Sequence, residues 1–343
     1  MVIRVGIIGM GFMGRTHLEV FRRLPGVRVT AFAEKDPRIR AGRPGRKGNI
    51  DAGAAPLDPR SFDAVYADGL DLVEDPRVDL VDITLPTPLH CGLFLAAVAA
   101  GKHVLVEKPL ARREEEVRAM LRAARRSRGI VMTAHCIRFW PAYAKLKEWA
   151  DRGTLGRLRN LFLRRLGARA RWSGWYRDAE ETGGALYDLH VHDTDFVNHL
   201  LGRPRAVFSR ATREGGPKGA VDHVVTQYLY PGREAPAVTA LGAWIPQGSW
   251  PFVMGFTAVF EKGTLDFDPA RADPGPLVLH RGNRARAVTV PPTDGWFEEI
   301  RYFVECVRRG REPERNSMAD TGITMRIVRA EERSIRSGKE ERV

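Results

Sequence analysis

Three groups of residues in this 343-residue chain have the types and spacing to do chemistry. The first is Glu107-Lys108-Pro109, delivered by the apolar run Val104–Val106. Such a run reads as a parallel strand buried on both faces. In an open α/β sheet the residues just past the strand's carboxyl end line a ligand crevice. A lysine held there partly out of water is suited to proton transfer. The competing reading is a surface turn with an exposed Glu–Lys ion pair, and the segment alone leaves both open.

The second group is the stretch Gly183 to Asp195, which carries Asp188, His190, His192 and Asp195. Asp188 and His192 are four apart and share a helix face, which Asp195 and His199 continue, whereas His190 points away. A polar stripe on a helix that must pack on a sheet is unfavourable unless it lines a cavity. An Asp–His pair can relay a proton, with His192 as base and Asp188 orienting it or sharing substrate hydroxyls. Two readings compete. One is a metal site, but one helix supplies ligands from one side only and no cysteine or Glu-rich partner segment accompanies it, so no metal is expected. The other is a buried, satisfied Asp–His network, which suits Asp195 and His199 better than Asp188 and His192.

The third group opens the chain. A short strand, Val2 to Ile8, runs into Gly9-Met10-Gly11-Phe12-Met13-Gly14, and a helix follows from Arg15 to Leu24. Glycines in a strand–turn–helix setting let the backbone turn tightly and approach a pyrophosphate, which the free N–H groups of the helix N-terminus can bind. A second strand, Val27 to Ala33, ends at Glu34, twenty residues after Gly14. An acid there accepts the ribose hydroxyls of an adenosine and repels a 2′-phosphate, which favours NAD. Lys35 and Arg38 lie close enough to soften that preference towards NADP. His17 and His103 read as ordinary structural residues.

The elements that must position these groups alternate in the first part of the chain. Arg38 to Pro59, rich in Gly, Pro and Arg, reads as a long exposed loop. A helix over Ser61 to Ala67 and an Asp-Gly turn lead to strand Val78–Leu85. The proline loop Pro86 to His90, a helix to Ala100, the Val104 strand, an amphipathic helix (Arg113–Arg128) and strand Ile130–Ala134 follow. This is a doubly wound parallel α/β domain over residues 1–135. From His135 the pattern changes. A helix opened by Pro141 is followed by strands at Leu158–Leu166, Ala206–Ala211, His223–Tyr230, Val238–Trp244, Phe252–Glu261, Thr264–Phe267, Leu277–His280 and Ala287–Val290. They alternate as an antiparallel sheet with one covered face does, and Glu261 to Thr264 reads as a hairpin turn. A helix from Gly184 to Leu201 covers that face, and helices Trp296–Arg309 and Met318–Ser337 close the chain. Residues 136–343 thus form an α+β domain, with the last helix free to pack back on the first domain.

Composition narrows the function classes. Hydrophobic residues make up 43% of the chain, enough for real cores. At this length two domains are expected rather than one. The net charge of +13 invites a nucleic-acid reading. However, the arginines are scattered, and clusters such as Arg122 to Arg128 alternate with apolar positions as a solvated helix face does. No nucleic-acid partner is expected. Neither a secretory leader nor an apolar run long enough to span a bilayer is present, so no membrane association is expected. Cys91, Cys136 and Cys306 are isolated, which fits a reducing cytoplasm.

The glycine loop, Pro86-Thr87-Pro88-Leu89-His90, Gly101 to Pro109 and Gly183-Gly-Ala-Leu-x-Asp188-x-x-x-His192-Asp together resemble the glucose–fructose oxidoreductase/inositol dehydrogenase/rhizopine-catabolism (Gfo/Idh/MocA) family, over nearly the whole chain. The resemblance implies an N-terminal Rossmann domain and a C-terminal α+β domain whose large open, mostly antiparallel sheet forms homodimers or homotetramers. It implies an NAD(P)-dependent dehydrogenase or reductase acting on a secondary alcohol or ketone of a sugar, sugar acid or cyclitol. It makes Lys108, Asp188 and His192 the catalytic set, gives Glu107 the task of orienting Lys108 or meeting the nicotinamide, and runs the loop of Thr84, Pro86 and His90 along the cofactor. Arg138 and Trp175 are substrate-side candidates. Cys136-Ile137-Arg138-Phe139 departs from the Asn that many members carry before Arg-Arg-Phe, which leaves those nicotinamide and substrate contacts open. A redox-neutral NAD-dependent glycosidase-like enzyme and a non-catalytic dinucleotide sensor remain as alternatives. The sensor has no need of Lys108, Asp188 and His192 together.

Overall fold

The computed structural model describes residues 2–43, 57–169, 179–213 and 219–343. In chain order the first elements are β1 (Ile3–Ile8), α1 (Phe12–Arg23), β2 (Val27–Ala33), α2 (Pro37–Arg40), β3 (Ala64–Tyr66), α3 (Gly69–Glu74), β4 (Leu80–Ile83), α4 (His90–Ala99), β5 (His103–Glu107), α5 (Glu114–Ala124) and β6 (Val131–Ala134). There follow α6 (Pro141–Asp151), β7 (Leu158–Ala168), α7 (Ala179–Thr182), a π-helical turn (Leu186–His190), α8 (Val191–Leu201), β8 (Ala206–Arg213), β9 (Val221–Leu229), β10 (Ala237–Ile245), β11 (Val253–Phe260), β12 (Gly263–Phe267), β13 (Leu277–Arg281) and β14 (Arg284–Ala287). Helices α9 (Gly295–Arg309) and α10 (Met318–Ser337) and the short β15 (Glu341–Arg342) close the chain.

The chain divides into two compact units, 1–136 with 296–322, and 137–295 with 323–343. The first contains a six-stranded parallel sheet in the order β3-β2-β1-β4-β5-β6. In β5 Val104, Leu105 and Val106 are all fully buried, as in a parallel strand covered on both faces. Sequence reading ended this domain at residue 135 and let the final helix return to it. The first unit takes in α9, whose Ile300, Phe303 and Val304 join the core of Ile3, Val5, Phe21 and Phe32, and the first residues of the final helix α10, to Gly322.

The second unit is built on a nine-stranded sheet, β14-β13-β12-β11-β7-β10-β9-β8-β15, antiparallel throughout except for the parallel pair β7–β10. Its strands alternate: Leu161 and Leu163 of β7 and Val224, Thr226 and Tyr228 of β9 are buried, whereas Phe162 and Val225 between them are exposed. The expected hairpin closes with Phe260 opposite Gly263.

Several local expectations are corrected. Residues 61–67 do not form a helix: Ala64–Tyr66 is the edge strand β3, paired with Ala31–Ala33, because a free parallel edge outweighs a weak helical pattern. The Asp-Gly turn is a helix start, since the Asp68 side chain accepts from the Leu70 N–H and opens α3. The exposed loop expected from Arg38 contains α2, capped by Asp36, and returns through the buried Leu57, whereas 44–56 lie outside the described residues. Strand 287–290 lies at Arg284–Ala287, because the turn Gly282-Asn283 pairs Arg281 with Arg284. The helix over 184–201 is present, but its first turn is π-helical.

Candidate active site

At the carboxyl end of β1 the glycine loop needs its glycines for two different reasons. Gly9 has φ +95°, a left-handed conformation that favours glycine. A Cβ on Gly14 would collide with the Gly9 carbonyl oxygen, so helix and loop can approach this closely only without a side chain. Gly11 is different: it is exposed, and a Cβ there would meet nothing within 4 Å. Its openness leaves room for a ligand's backbone-facing atoms. Phe12 and Met13 follow in the first turn of α1, which holds no acidic residue to oppose an anion. Glu34 lies beside this loop and accepts from the Met10 N–H (3.0 Å) and the Asp36 N–H (2.9 Å). Both bonds leave the carboxylate oriented at the end of β2. These features fit a dinucleotide: open glycine, uncapped helix N-terminus and a fixed acid at ribose distance in sequence.

Thr84, just past β4, donates to the Gly9 carbonyl at 2.7 Å and clips the loop to the next strand. Pro86 precedes a single 3-10 turn, Thr87–Leu89. His90 is fully buried, and its ring nitrogens lie 2.8 Å from the Leu85 carbonyl and 3.1 Å from the Pro109 carbonyl. His90 therefore ties the proline loop to the segment after Lys108 rather than presenting its ring outward. Burial pushes its pKa down.

Glu107 is buried, and its Oε2 accepts from the N–H of Lys108 at 3.0 Å. The surface-turn reading of this segment does not stand, since an exposed ion pair has no buried carboxylate. The Lys108 side chain is half-buried, and the Lys108–Pro109 peptide is cis. Below Glu107 lies a feature that sequence reading missed. His17, read as an ordinary structural residue, is fully buried with Nδ1 2.9 Å from Asp82 Oδ2 and Nε2 3.3 Å from Glu107 Oε1. Burial opposes a proton on His17, but the two carboxylates outweigh it and hold its pKa well above the ordinary histidine range. Burial likewise opposes charge on Glu107, yet His17 and Lys108 hold its carboxyl below the usual range. Burial raises the pKa of Asp82, with His17 opposing.

In the second unit the π turn and α8 carry the Asp/His stretch. Gly183 and Gly184 both have φ +68° at its start, and a Cβ on Gly184 would clash with the Val221 backbone. Asp188 and His192 are half-buried, whereas His190, Asp193 and Asp195 are buried. Trp244 of β10, itself buried, donates from Nε1 to Asp188 Oδ2 at 3.0 Å. His190 is buried against the sheet, and its Nε2 lies 3.1 Å from Thr226 Oγ1. Two arginines grip the helix from inside. Arg165 of β7 donates to both oxygens of Asp193, at 3.1 and 2.8 Å. Arg138 donates to both oxygens of Asp195, at 2.7 Å each, and Thr324 adds a bond to Asp195 Oδ1 at 2.8 Å.

Arg138 is thus corrected from substrate-side candidate to internal partner, because its guanidinium is fully buried on Asp195. Asp195 is buried, as the competing structural reading had it, but its partners are Arg138 and Thr324 rather than a histidine. Trp175, the other substrate-side candidate, and Trp172 lie outside the described residues. Among the described residues no group of three or more His, Cys, Asp or Glu is arranged to hold a metal ion. Among them, too, no helix is long and apolar enough to cross a membrane.

A doubly wound parallel sheet with this glycine loop, followed by a mixed-sheet unit with an Asp/His helix, defines a Rossmann-type oxidoreductase of two units. Residues 3–135 match the model of the oxidoreductase family with an NAD-binding Rossmann fold, and residues 143–266 match the GFO/IDH/MocA C-terminal domain. The chain belongs to the GFO/IDH/MocA family. It is 26% identical to a myo-inositol 2-dehydrogenase of Thermotoga maritima over 91% of this chain and 90% of that one. It is 31% identical to a levoglucosan dehydrogenase of Pseudarthrobacter phenanthrenivorans, over 60% of this chain and 53% of that one. The solved structure of a levoglucosan dehydrogenase in complex with NADH and levoglucosan has the same fold, with a TM-score of 0.84, 24% identity and full coverage of both chains.

Proposed function

We propose that this protein transfers a hydride between NAD and a secondary alcohol or ketone of a sugar, sugar acid or cyclitol, with Lys108, Asp188 and His192 as its catalytic residues. The observation that carries the reading is the buried Glu107 bonded to the Lys108 amide, at the end of a strand whose sheet also holds the open glycine loop and Glu34. The inositol and levoglucosan dehydrogenases among its relatives support the substrate class.

When bound, the nicotinamide supplies or accepts the hydride. The protein's own residues manage the proton and the geometry. A carbinol that loses a hydride must also lose its hydroxyl proton, and an imidazole nitrogen of His192 takes it. Asp188, held by the Trp244 indole, orients substrate hydroxyls. The Lys108 Nζ donates to the reacting oxygen and stabilises the charge that develops there. Glu34 accepts the ribose hydroxyls and so favours NAD over NADP.

The open face of the nine-stranded sheet, with Phe162 and Val225 exposed, supports a homodimer or homotetramer. Three separate free cysteines support a cytoplasmic setting. The experiment is a panel of polyols, sugars and sugar acids with each cofactor, read by NADH or NADPH absorbance. Turnover that Lys108→Ala abolishes without loss of fold supports the reading. Failure to bind either cofactor by calorimetry overturns it.

A further inference from the structure

We propose that His17 is a positioning residue for Lys108: an imidazole that bridges Asp82 and Glu107 and, through Glu107, fixes the backbone from which Lys108 projects. The proposal deepens the dehydrogenase reading and rests on it for the role of Lys108. Three elements supply the bridge. His17 comes from α1, one turn beyond the glycine loop, Asp82 from β4 and Glu107 from the end of β5.

Asp82 is the first reason to see more than packing. It lies on an interior strand, opposite Ile7 of β1 and Leu105 of β5, between the buried Val81 and Ile83. An apolar side chain there would serve the core better, because a buried carboxylate destabilises unless it is paired. Asp82 is paired with His17, and a structural pair would end there. Instead the far ring nitrogen meets a second buried carboxylate, Glu107. One imidazole thus meets two buried carboxylates, the second of which immediately precedes the half-buried Lys108 in the chain.

The grip on the lysine backbone is two-sided. Glu107 Oε2 accepts the Lys108 N–H, and the His90 ring engages the Pro109 carbonyl. The ionisable groups facing Glu107 are His17 from α1, Asp82 from β4, Lys108 from its own strand end and His90 from α4. Burial pushes the pKa of His90 down, whereas the two carboxylates outweigh burial at His17 and push its pKa up. Without the His17 imidazolium, Glu107 would lose its main support as an anion, and its hold on the Lys108 amide would slacken.

The test has one arm that needs no substrate. In the cofactor-free protein, imidazole nitrogen signals are followed from about pH 6 to about pH 9, across the ordinary histidine range. The His17 signal is identified by its loss in His17→Gln. We expect it to remain imidazolium through neutrality. We also expect amide exchange in the 104–110 segment to accelerate at least about tenfold in His17→Gln, with the Kd for NADH changed less than about twofold. A neutral His17 at pH 7, or unchanged exchange, overturns the proposal.

In the second arm, His17→Gln lowers kcat at least about tenfold and moves the acid limb of the kcat–pH profile to higher pH, because Glu107 then protonates more readily. A His17 that only packs would leave that limb in place, which overturns the proposal. Should His17→Gln not fold, Asp82→Asn carries the same measurements with the same expected directions. A wild type that turns over no polyol overturns the dehydrogenase reading, and the exchange arm still decides whether His17 positions Lys108.

Discussion

Arg138 donates through Nε and Nη2 to both oxygens of Asp195 at 2.7 Å, with both side chains buried. The pair joins the turn after β6 to the middle of α8, the helix that carries His192. It explains why an aspartate in line with the proposed catalytic stripe is not itself exposed to a ligand. Removing one partner leaves an uncompensated buried charge. Asp195→Ala is expected to destabilise the second unit by about 3–5 kcal/mol, read by urea unfolding. Replacing both partners with apolar residues of similar size, Arg138→Met with Asp195→Leu, is expected to recover most of that loss. A single variant that loses less than about 1 kcal/mol would contradict the assignment.

The Trp244–Asp188 bond makes a different prediction. Trp244→Phe keeps an aromatic ring in the core and removes only the N–H that fixes the carboxylate. A hydrogen bond to a charged group contributes about 1.5–3 kcal/mol. The expected outcome is a fall in kcat of roughly tenfold or more, with NADH affinity unchanged in a fluorescence titration.

The two glycines of the loop separate by mechanism. Gly14→Ala must displace the Gly9 carbonyl, so it is expected to lower the melting temperature of the first unit and abolish NADH binding. Gly11→Ala meets no protein atom, so its melting temperature is expected to stay within about 1 °C of wild type. Its NADH affinity is nonetheless expected to fall at least about tenfold, because the methyl occupies ligand space. Equal effects of both substitutions on stability would refute this division.

Cofactor choice is predicted to rest on Glu34, whose two oxygens are held by Met10 and Asp36 amides. Glu34→Ala removes the repulsion of a 2′-phosphate. The ratio of kcat/KM for NAD to that for NADP is expected to fall by about one to two orders of magnitude.

Stability is expected to depend on pH through His17. Its folded pKa is raised above the unfolded value, so its contribution is full below about pH 6.5 and is lost as pH rises through the folded pKa. Glu107 is shifted the other way: its contribution is present above its unfolded pKa and is lost as pH falls through the folded one. The difference in melting temperature between wild type and His17→Gln is therefore expected to be widest between about pH 5 and pH 6.5 and to narrow on the alkaline side. A difference that grows with rising pH would show the imidazole to be neutral.

The chain's local signals carried the fold class, the glycine loop, Glu34, the Val104–Glu107 strand and the Asp188/His192 helix. Each of these is a short-range requirement: a φ that favours glycine, a period of two or 3.6, an apolar run buried on both faces. Residues whose meaning lies in distant partners were not legible. His17 meets Asp82 across 65 positions, Arg138 meets Asp195 across 57 and Trp244 meets Asp188 across 56. No local period encodes such pairs, because they arise where strands and helices are stacked. The same reason turned 61–67 from helix to edge strand, since a waiting sheet edge offers more than local propensity does. By itself, the sequence determined which residues could do chemistry and which elements carry them. Only the tertiary structure decided which of those side chains are buried and paired, because the balance between desolvation and partnership is struck across the whole core.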